Sequence, residues 1–136
     1  MANYKIEDLE GVGPVLGEKF RSAGVNNTDT LLAHSKTKKQ RKELAEKTGI
    51  SEDKVLKFAN MVDLYRIKGI GSEFAELLEA AGVDTVPELA QRNAENLTKK
   101  IEEVNLEKKL VRRTPALKEV EGWVTQAKEL PRALEY

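Results

Sequence analysis

Residues 9–25, LEGVGPVLGEKFRSAGV, realign without a gap on residues 67–83, IKGIGSEFAELLEAAGV. Gly11, Gly13, Ala23, Gly24 and Val25 fall on Gly69, Gly71, Ala81, Gly82 and Val83. The apolar pattern follows, with Val12 on Ile70, Leu16 on Phe74 and Phe20 on Leu78. Past this stretch, TLLAH (Thr30 to His34) matches PELAQ (Pro87 to Gln91) after a one-residue deletion. Leu44 then falls near Ile101, and Ile50 near Leu106. VLKFANMV (55–62) resembles VEGWVTQA (120–127), which sets Phe58 opposite Trp123. A repeat that spans the whole chain means that one supersecondary unit is used twice. The expected units are 1–63 and 64–136, with the boundary near Leu64. A unit of about 60 residues has a marginal core by itself, so the two are expected to form one cooperative domain.

Local signals make these units helical. Leu16, Phe20 and Ala23 recur at three- and four-residue spacing, the stripe of an amphipathic helix. Gly24 and Gly82 stand where a helix C-terminal glycine belongs. Thr85 with Pro87, Ser51, and Thr114 with Pro115 read as helix starts. Aromatic residues are 5% of the chain and β-branched residues rarely alternate with polar ones, so strands are not expected. The expectation is an all-α chain with four to five short helices per unit, and with Phe58 and Trp123 as core anchors.

The copies differ in one place. The first passes from Ile50 to Ser51 with almost no connection, whereas the second inserts NLEKKLVRRT, Asn105 to Thr114. This insertion carries Lys108, Lys109, Arg112 and Arg113 around Leu110 and Val111. In the first copy Lys36, Lys38, Lys39, Arg41 and Lys42 form another basic cluster, read either as a phosphate-facing patch or as a solvated helix face, since Glu43 and Glu46 follow.

Composition removes several functions. With no cysteine there are no disulfides, thiolate nucleophiles or zinc ribbons. His34 is the only histidine and reads as a cap or surface group; Glu102, Glu103 and Glu107 lack histidine partners for a metal site. No serine–histidine–acid set and no glycine-rich lysine loop for phosphate is present, so the chain is not expected to be an enzyme. No stretch approaches the roughly 18 apolar residues of a membrane span, and MANYKIEDLE has no apolar signal core. A cytoplasmic protein with no membrane partner is expected. Lys plus Arg is 23 and Asp plus Glu is 23. With no global excess of cations, any phosphate site must be local.

LEGVGPVLGEKFRSAG and IKGIGSEFAELLEAAG resemble the helix-hairpin-helix motif, a hydrophobic-Gly-hydrophobic-Gly turn between two short helices. The two-copy arrangement resembles a bacterial family of unknown function that carries tandem helix-hairpin-helix units. The resemblance implies two tandem repeat units in a SAM/helix-hairpin-helix-like bundle, packed with pseudo-two-fold symmetry. Glycine adopts positive φ and lets the backbone approach another molecule, and a helix opening at the second glycine offers free amides to an anion. In the resembled family these amides contact DNA phosphates without reading sequence. Carried over, the contacting residues are Gly11, Val12 and Gly13, then Gly69, Ile70 and Gly71, with Arg66, Lys68 and the loop residues Lys108, Lys109, Arg112 and Arg113 supplying charge. Hairpin carbonyls of some relatives hold a monovalent cation; no other cofactor is implied.

The chain departs from the DNA-binding pattern. A lysine or arginine often stands two residues after the second glycine, where this chain has Val15 and Glu73. Glu7, Asp8 and Glu10 precede the first hairpin; the second is flanked by Arg66 and Lys68, with Glu73, Glu76 and Glu79 following on its helix, so the second is the better phosphate candidate. Two readings stand: a non-sequence-specific DNA-binding or accessory protein, or a protein-interaction scaffold that keeps the fold without binding DNA. In the second, the hairpin glycines only turn the chain and let helices pack.

Overall fold

A computed structural model describes residues 3–136. Among these residues the chain is all-helical. A 3-10 turn, Ile6–Asp8, leads to α1 (Gly13–Ser22), α2 (Thr28–Ala33), α3 (Lys38–Thr48) and α4 (Glu52–Leu64). Then come α5 (Ser72–Ala80), α6 (Val86–Ala90), α7 (Ala94–Lys108) and α8 (Leu117–Glu129). No helix among the described residues is long and apolar enough to cross a membrane. The chain divides into two compact units, one of residues 3–63 with 132–136, the other of residues 64–131. The last five residues thus pack with the N-terminal unit, which the repeat did not foretell.

Helix ends follow the local chemistry. After α1, Gly24 N donates to Arg21 O and Val25 N to Phe20 O, with Gly24 at φ +87°. After α5, Gly82 N donates to Glu79 O and Val83 N to Leu78 O, with Gly82 at φ +91°. Both are the paired 5→2 and 6→1 bonds of a Schellman termination, closed by a buried valine. Nothing lies within 4 Å of a methyl added at Gly24 or Gly82. Gly24→Ala and Gly82→Ala are therefore expected to cost only the backbone strain, about 1 kcal/mol each in urea unfolding. Helix starts are read well at Thr85, whose side chain accepts from Glu88 N, and at Ser51, whose hydroxyl accepts from Lys54 N. Thr114 is a correction. α8 begins later, after Ala116 in extended conformation, because Glu119 reaches back to accept from Ala116 N.

In the N-terminal unit the entering chain is stitched beside the α1–α2 connection. Ile6 N donates to Asn26 O, Thr28 N to Tyr4 O, and Lys5 pairs with Asn27 as an isolated antiparallel bridge. The turn sits close on α1 because Gly17 lacks a side chain: a Cβ there would lie 2.6 Å from Glu7 Cγ. Glu7 reaches over to Arg21 in a 2.7 Å ion pair. The Arg21 guanidinium, hydrogen-bonded to it, holds the Glu7 carboxyl below its usual range. Phe20 meets Phe58 edge-to-face at 6.1 Å, and both rings are buried.

Arg41 departs from the basic cluster proposed around Lys38 and Lys42. It is 5% exposed, and its guanidinium donates to the carbonyls of Ser35, Lys36 and Glu135. Glu135 N returns a bond to Lys36 O, Leu134 is buried, and the Tyr136 hydroxyl donates to Asn60 Oδ1. A buried cation hydrogen-bonded to carbonyls is a structural tie for the segment 132–136, and its burial keeps the guanidinium out of reach of a phosphate.

In the C-terminal unit α8 packs on α6 and α7, and α5 packs on α7. Ile67, Ile70, Leu78, Leu89, Leu97, Ile101 and Val120 are buried here, with Trp123 2% exposed. Phe58 and Trp123 are thus both interior rings, as the repeat suggested, and neither is placed to stack on a base.

Candidate nucleic-acid interface

Each hairpin turns at its first glycine. Gly11 has φ +87° and Gly69 φ +96°, and each turn closes by a hydrogen bond back to the residue that starts it: Val12 N to Leu9 O, and Ile70 N to Ile67 O. These bonds bear on two of the expected contact residues. The Val12 and Ile70 side chains are buried and their amides are already used inside the turn.

At that glycine the two hairpins diverge. Gly13 is left-handed at φ +64°, and Pro14 behind it has no amide hydrogen to give. Gly71 is extended (φ −109°, ψ −165°) and serves as the N-cap of α5. Neither α1 nor α5 receives a side-chain cap hydrogen bond. By contrast α2, α3, α6 and α7 are capped by Asn27, Thr37, Thr85 and Asn93. The second hairpin therefore has the more open helix start. It also keeps an amide where the first has proline.

Aromatic rings hold both turns in place. A Cβ on Gly11 would lie 3.3 Å from Phe58 Cε1, and one on Gly69 would lie 2.9 Å from Trp123 Nε1. The absent side chains let the last helix of each repeat press its ring against the turn. The second turn is fastened twice more. Gln126 accepts from Lys68 N at 2.9 Å and donates to Lys68 O at 3.3 Å, and Arg66 Nη1 donates to Pro131 O at 2.9 Å. Lys68 stays exposed, while Arg66 is half-buried and committed to that carbonyl. The turn is thus held on both sides, with Lys68 exposed before the start of α5 and Glu73 exposed within that helix's first turn.

The inserted segment is more regular than its sequence suggested. Asn105 to Lys108 continue α7, and the loop proper runs from Lys109 to Thr114. Lys109 takes a left-handed turn at φ +51°. Asn105 then clamps the loop, its amide donating to Val111 O and its carbonyl accepting from Val111 N, both at 3.0 Å. Lys108, Lys109 and Arg112 are exposed. Arg113 is exposed too, but its guanidinium lies over a ring: the guanidinium carbon is 5.8 Å from the centre of the Phe74 ring, and that ring lies 5.4 Å from Trp123. Arg113 also bonds Glu119 at 2.6 Å, which raises the Arg113 pKa and lowers that of Glu119. The stack Arg113–Phe74–Trp123 ends at Gly69, so the loop's last cation is carried to the first turn of α5.

Phe74, Gln126, Asn105 and Glu119 were not foreseen. Two of them left a signal in the repeat: Phe74 replaces Leu16, and Gln126 replaces the buried Met61, each a departure from the sister copy beside the insertion. The hairpin of the N-terminal unit gathers no comparable cations; Pro14 and Val15 are exposed there, with Asp8, Glu10 and Glu18 around them. Among the described residues no group of acidic, histidine or cysteine side chains could hold a metal ion.

No match to this chain is found among curated proteins or among solved structures. A family described as a domain of unknown function, DUF4332, matches residues 10–130. Because that match runs through both hairpins, the basic loop and α8, the chain belongs to the DUF4332 family.

Proposed function

We propose that the protein is a non-sequence-specific nucleic-acid-binding or accessory factor built on two helix-hairpin-helix units, with the second unit making the phosphate contact. The observation that carries this reading is the run of contacts from Arg113 through Phe74 and Trp123 to Gly69, which brings one cation of the basic loop to the first turn of α5, a helix with no side-chain cap. The contact set is Gly71 with the opening turn of α5, Lys68, and the loop residues Lys108, Lys109, Arg112 and Arg113. Gly11, Val12 and Gly13 drop out, since the first hairpin has proline at the donor position and acids around it. Arg66 has a positioning role through Pro131. Hydrogen bonds from an N-terminal helix turn and loose cations grip a phosphate of any sequence, so base identity has no reader here.

Fluorescence anisotropy with labelled duplex and single-stranded DNA tests this. Binding that engages about three to five phosphates should weaken with salt at a log-log slope of roughly −3 to −4.5 on duplex. Gly71→Asp keeps a residue suited to an N-cap but sets a carboxylate where the phosphate would sit. It should cut affinity at least about tenfold, or about 1.4 kcal/mol, with folding retained. Glu119→Gln keeps the acceptor for Ala116 N while releasing Arg113, and should tighten binding about two- to fourfold. The same logic sets the pH dependence. Arg113 holds the Glu119 carboxyl low, so the pair is complete above the ordinary carboxylate range and is lost as pH falls through the lowered value, freeing Arg113 for phosphate. Absence of binding at about 50 mM salt, or affinity indifferent to Gly71→Asp, would overturn the assignment.

The scaffold alternative draws support from the first hairpin, where Val15 is 70% exposed beside carboxylates. An apolar tip ringed by acids suits a protein surface and repels a phosphate.

A further inference from the structure

Residues 132–136 show what one groove of the N-terminal unit takes. The segment is bonded on one side to the α2–α3 connection and on the other to α4. Glu135 N donates to Lys36 O, the Arg41 guanidinium donates to Glu135 O, and the Tyr136 hydroxyl donates to Asn60 Oδ1. Leu134 is 1% exposed and anchors the segment. The seat thus holds main chain at residue 135 and side chains at 134 and 136, a division common to sites that recognise linear peptides.

The C-terminal unit has a groove in the corresponding place, and it is open. In the alignment of the copies the α2–α3 connection falls on the α6–α7 connection, α4 on α8, and Asn60 on Thr125. Between that connection and α8 lies a groove of about 510 Å³, with Arg92, Asn93 and Ala94 on one side and Val124, Thr125 and Lys128 on the other. Ligand-binding clefts commonly have about 300–1,000 Å³. Ala94 and Val124 are small apolar residues and leave room for an aliphatic side chain. The Thr125 hydroxyl donates to Glu121 O and can still accept a hydrogen, as Asn60 does. The buried guanidinium has no counterpart on α7. Thr98 stands three residues before Ile101 as Arg41 stands three before Leu44, and its hydroxyl donates to Ala94 O. Arg92, half-buried at the groove, supplies donors for a peptide carbonyl instead. Charge does not choose the occupant, because Arg92 and Lys128 share the groove with Glu121, and Glu95 and Glu129 adjoin it in sequence.

We infer that this open groove binds a linear peptide of a partner protein, with a leucine on Ala94 and Val124 and a tyrosine two residues later on Thr125. The chain's own segment fills the sister groove with that pattern, so recognition rests on Leu-x-Tyr and on main-chain hydrogen bonds. None of the groove residues belongs to the proposed phosphate contact set, so this inference and DNA binding fall separately.

A titration of the full isotope-labelled chain, followed by its amide resonances, tests the inference. The probe is the synthetic peptide Leu-Pro-Arg-Ala-Leu-Glu-Tyr, the sequence of residues 130–136. The chain's own segment keeps the first groove filled, so the added peptide reports on the open one. Saturable shifts are expected on residues 90–94 and 121–128 by about 2 mM peptide, since a short peptide with one anchor binds weakly. Leu134→Ser in the peptide should weaken binding at least about tenfold. Thr125→Trp in the protein fills the groove from an exposed position and should abolish the shifts, with an unchanged urea midpoint showing an intact fold. The absence of saturable shifts, or binding indifferent to Leu134→Ser, overturns the inference. Shifts confined to residues 34–41 and 60 also overturn it, because the peptide would then only displace the chain's own segment. A mass that rises with protein concentration, and is lost in Thr125→Trp, would make the occupant a second copy and overturn the partner peptide.

Discussion

Gly69→Ala should lower stability by about 2–4 kcal/mol, the largest loss expected from adding one methyl group anywhere in the second hairpin. Two penalties coincide at this residue. The backbone sits at φ +96°, where an L side chain is strained by about 1–2 kcal/mol. The new Cβ would also lie 2.9 Å from Trp123 Nε1, inside the closest approach that real Cβ atoms make. Trp123 cannot swing aside cheaply, because it is buried and stacked with Phe74. The displaced ring would push on Phe74 and, through it, on Arg113, so the loop should loosen together with the turn. Gly11→Ala should cost less, since its Cβ meets Phe58 Cε1 at 3.3 Å and a small shift of the ring relieves it. Gly71→Ala should cost least in backbone strain, because Gly71 is already in extended conformation that any residue adopts. Urea unfolding of the three variants checks the order. Equal losses at Gly69 and Gly71 would mean that the second glycine is also held by the fold rather than kept for an approaching ligand.

Arg41→Met should cost about 2–4 kcal/mol, in contrast with an exposed lysine of the same cluster such as Lys42, where the change should stay within about 0.5 kcal/mol. Methionine keeps the apolar stem that packs inside the unit but removes every donor. The carbonyls of Ser35, Lys36 and Glu135 then lose a charged partner in a site that water enters poorly, and each bond to a charged group is worth about 1.5–3 kcal/mol before the lost cost of burying the charge is subtracted. The effect should be visible in place as well as in magnitude. Residues 132–136 are held by this guanidinium, by the Glu135–Lys36 bond and by Tyr136 on Asn60. Limited proteolysis or amide exchange should therefore show this segment released at denaturant concentrations where the wild type still protects it. If Arg41→Met melts with the wild-type midpoint and an unchanged tail, the guanidinium is not the tie described here.

Arg41 and Arg113 show where one-dimensional reasoning stops. In sequence Arg41 belongs to a run of lysines and looks like one more surface cation. Its burial depends on a segment 94 residues away folding back to offer a carbonyl, and no local pattern records that meeting. Arg113 looks like part of a flexible basic loop. Its placement depends on Phe74, which is aromatic only in the copy that has the insertion. Comparing the copies could have raised Phe74 and Gln126 as departures, but not where their side chains lead.

By itself the sequence determined the elements that depend on short-range physics. The glycines at 24 and 82 end their helices because only a residue free of Cβ strain closes a Schellman turn there. Thr85 and Ser51 start theirs because a hydroxyl can accept a nearby amide. The buried apolar positions follow from helical spacing, and Phe58 and Trp123 are interior because large rings in an apolar stripe leave water. Only the tertiary structure decided which polar groups are spent and which are open. It used the Val12 and Ile70 amides inside their turns and surrounded Arg41 with carbonyls. It also pressed Trp123 onto Gly69 and drew Arg113 to the start of α5. Hydrogen bonds and close ring contacts of this kind act over a few ångströms between residues far apart in the chain, so they exist only once the helices have packed.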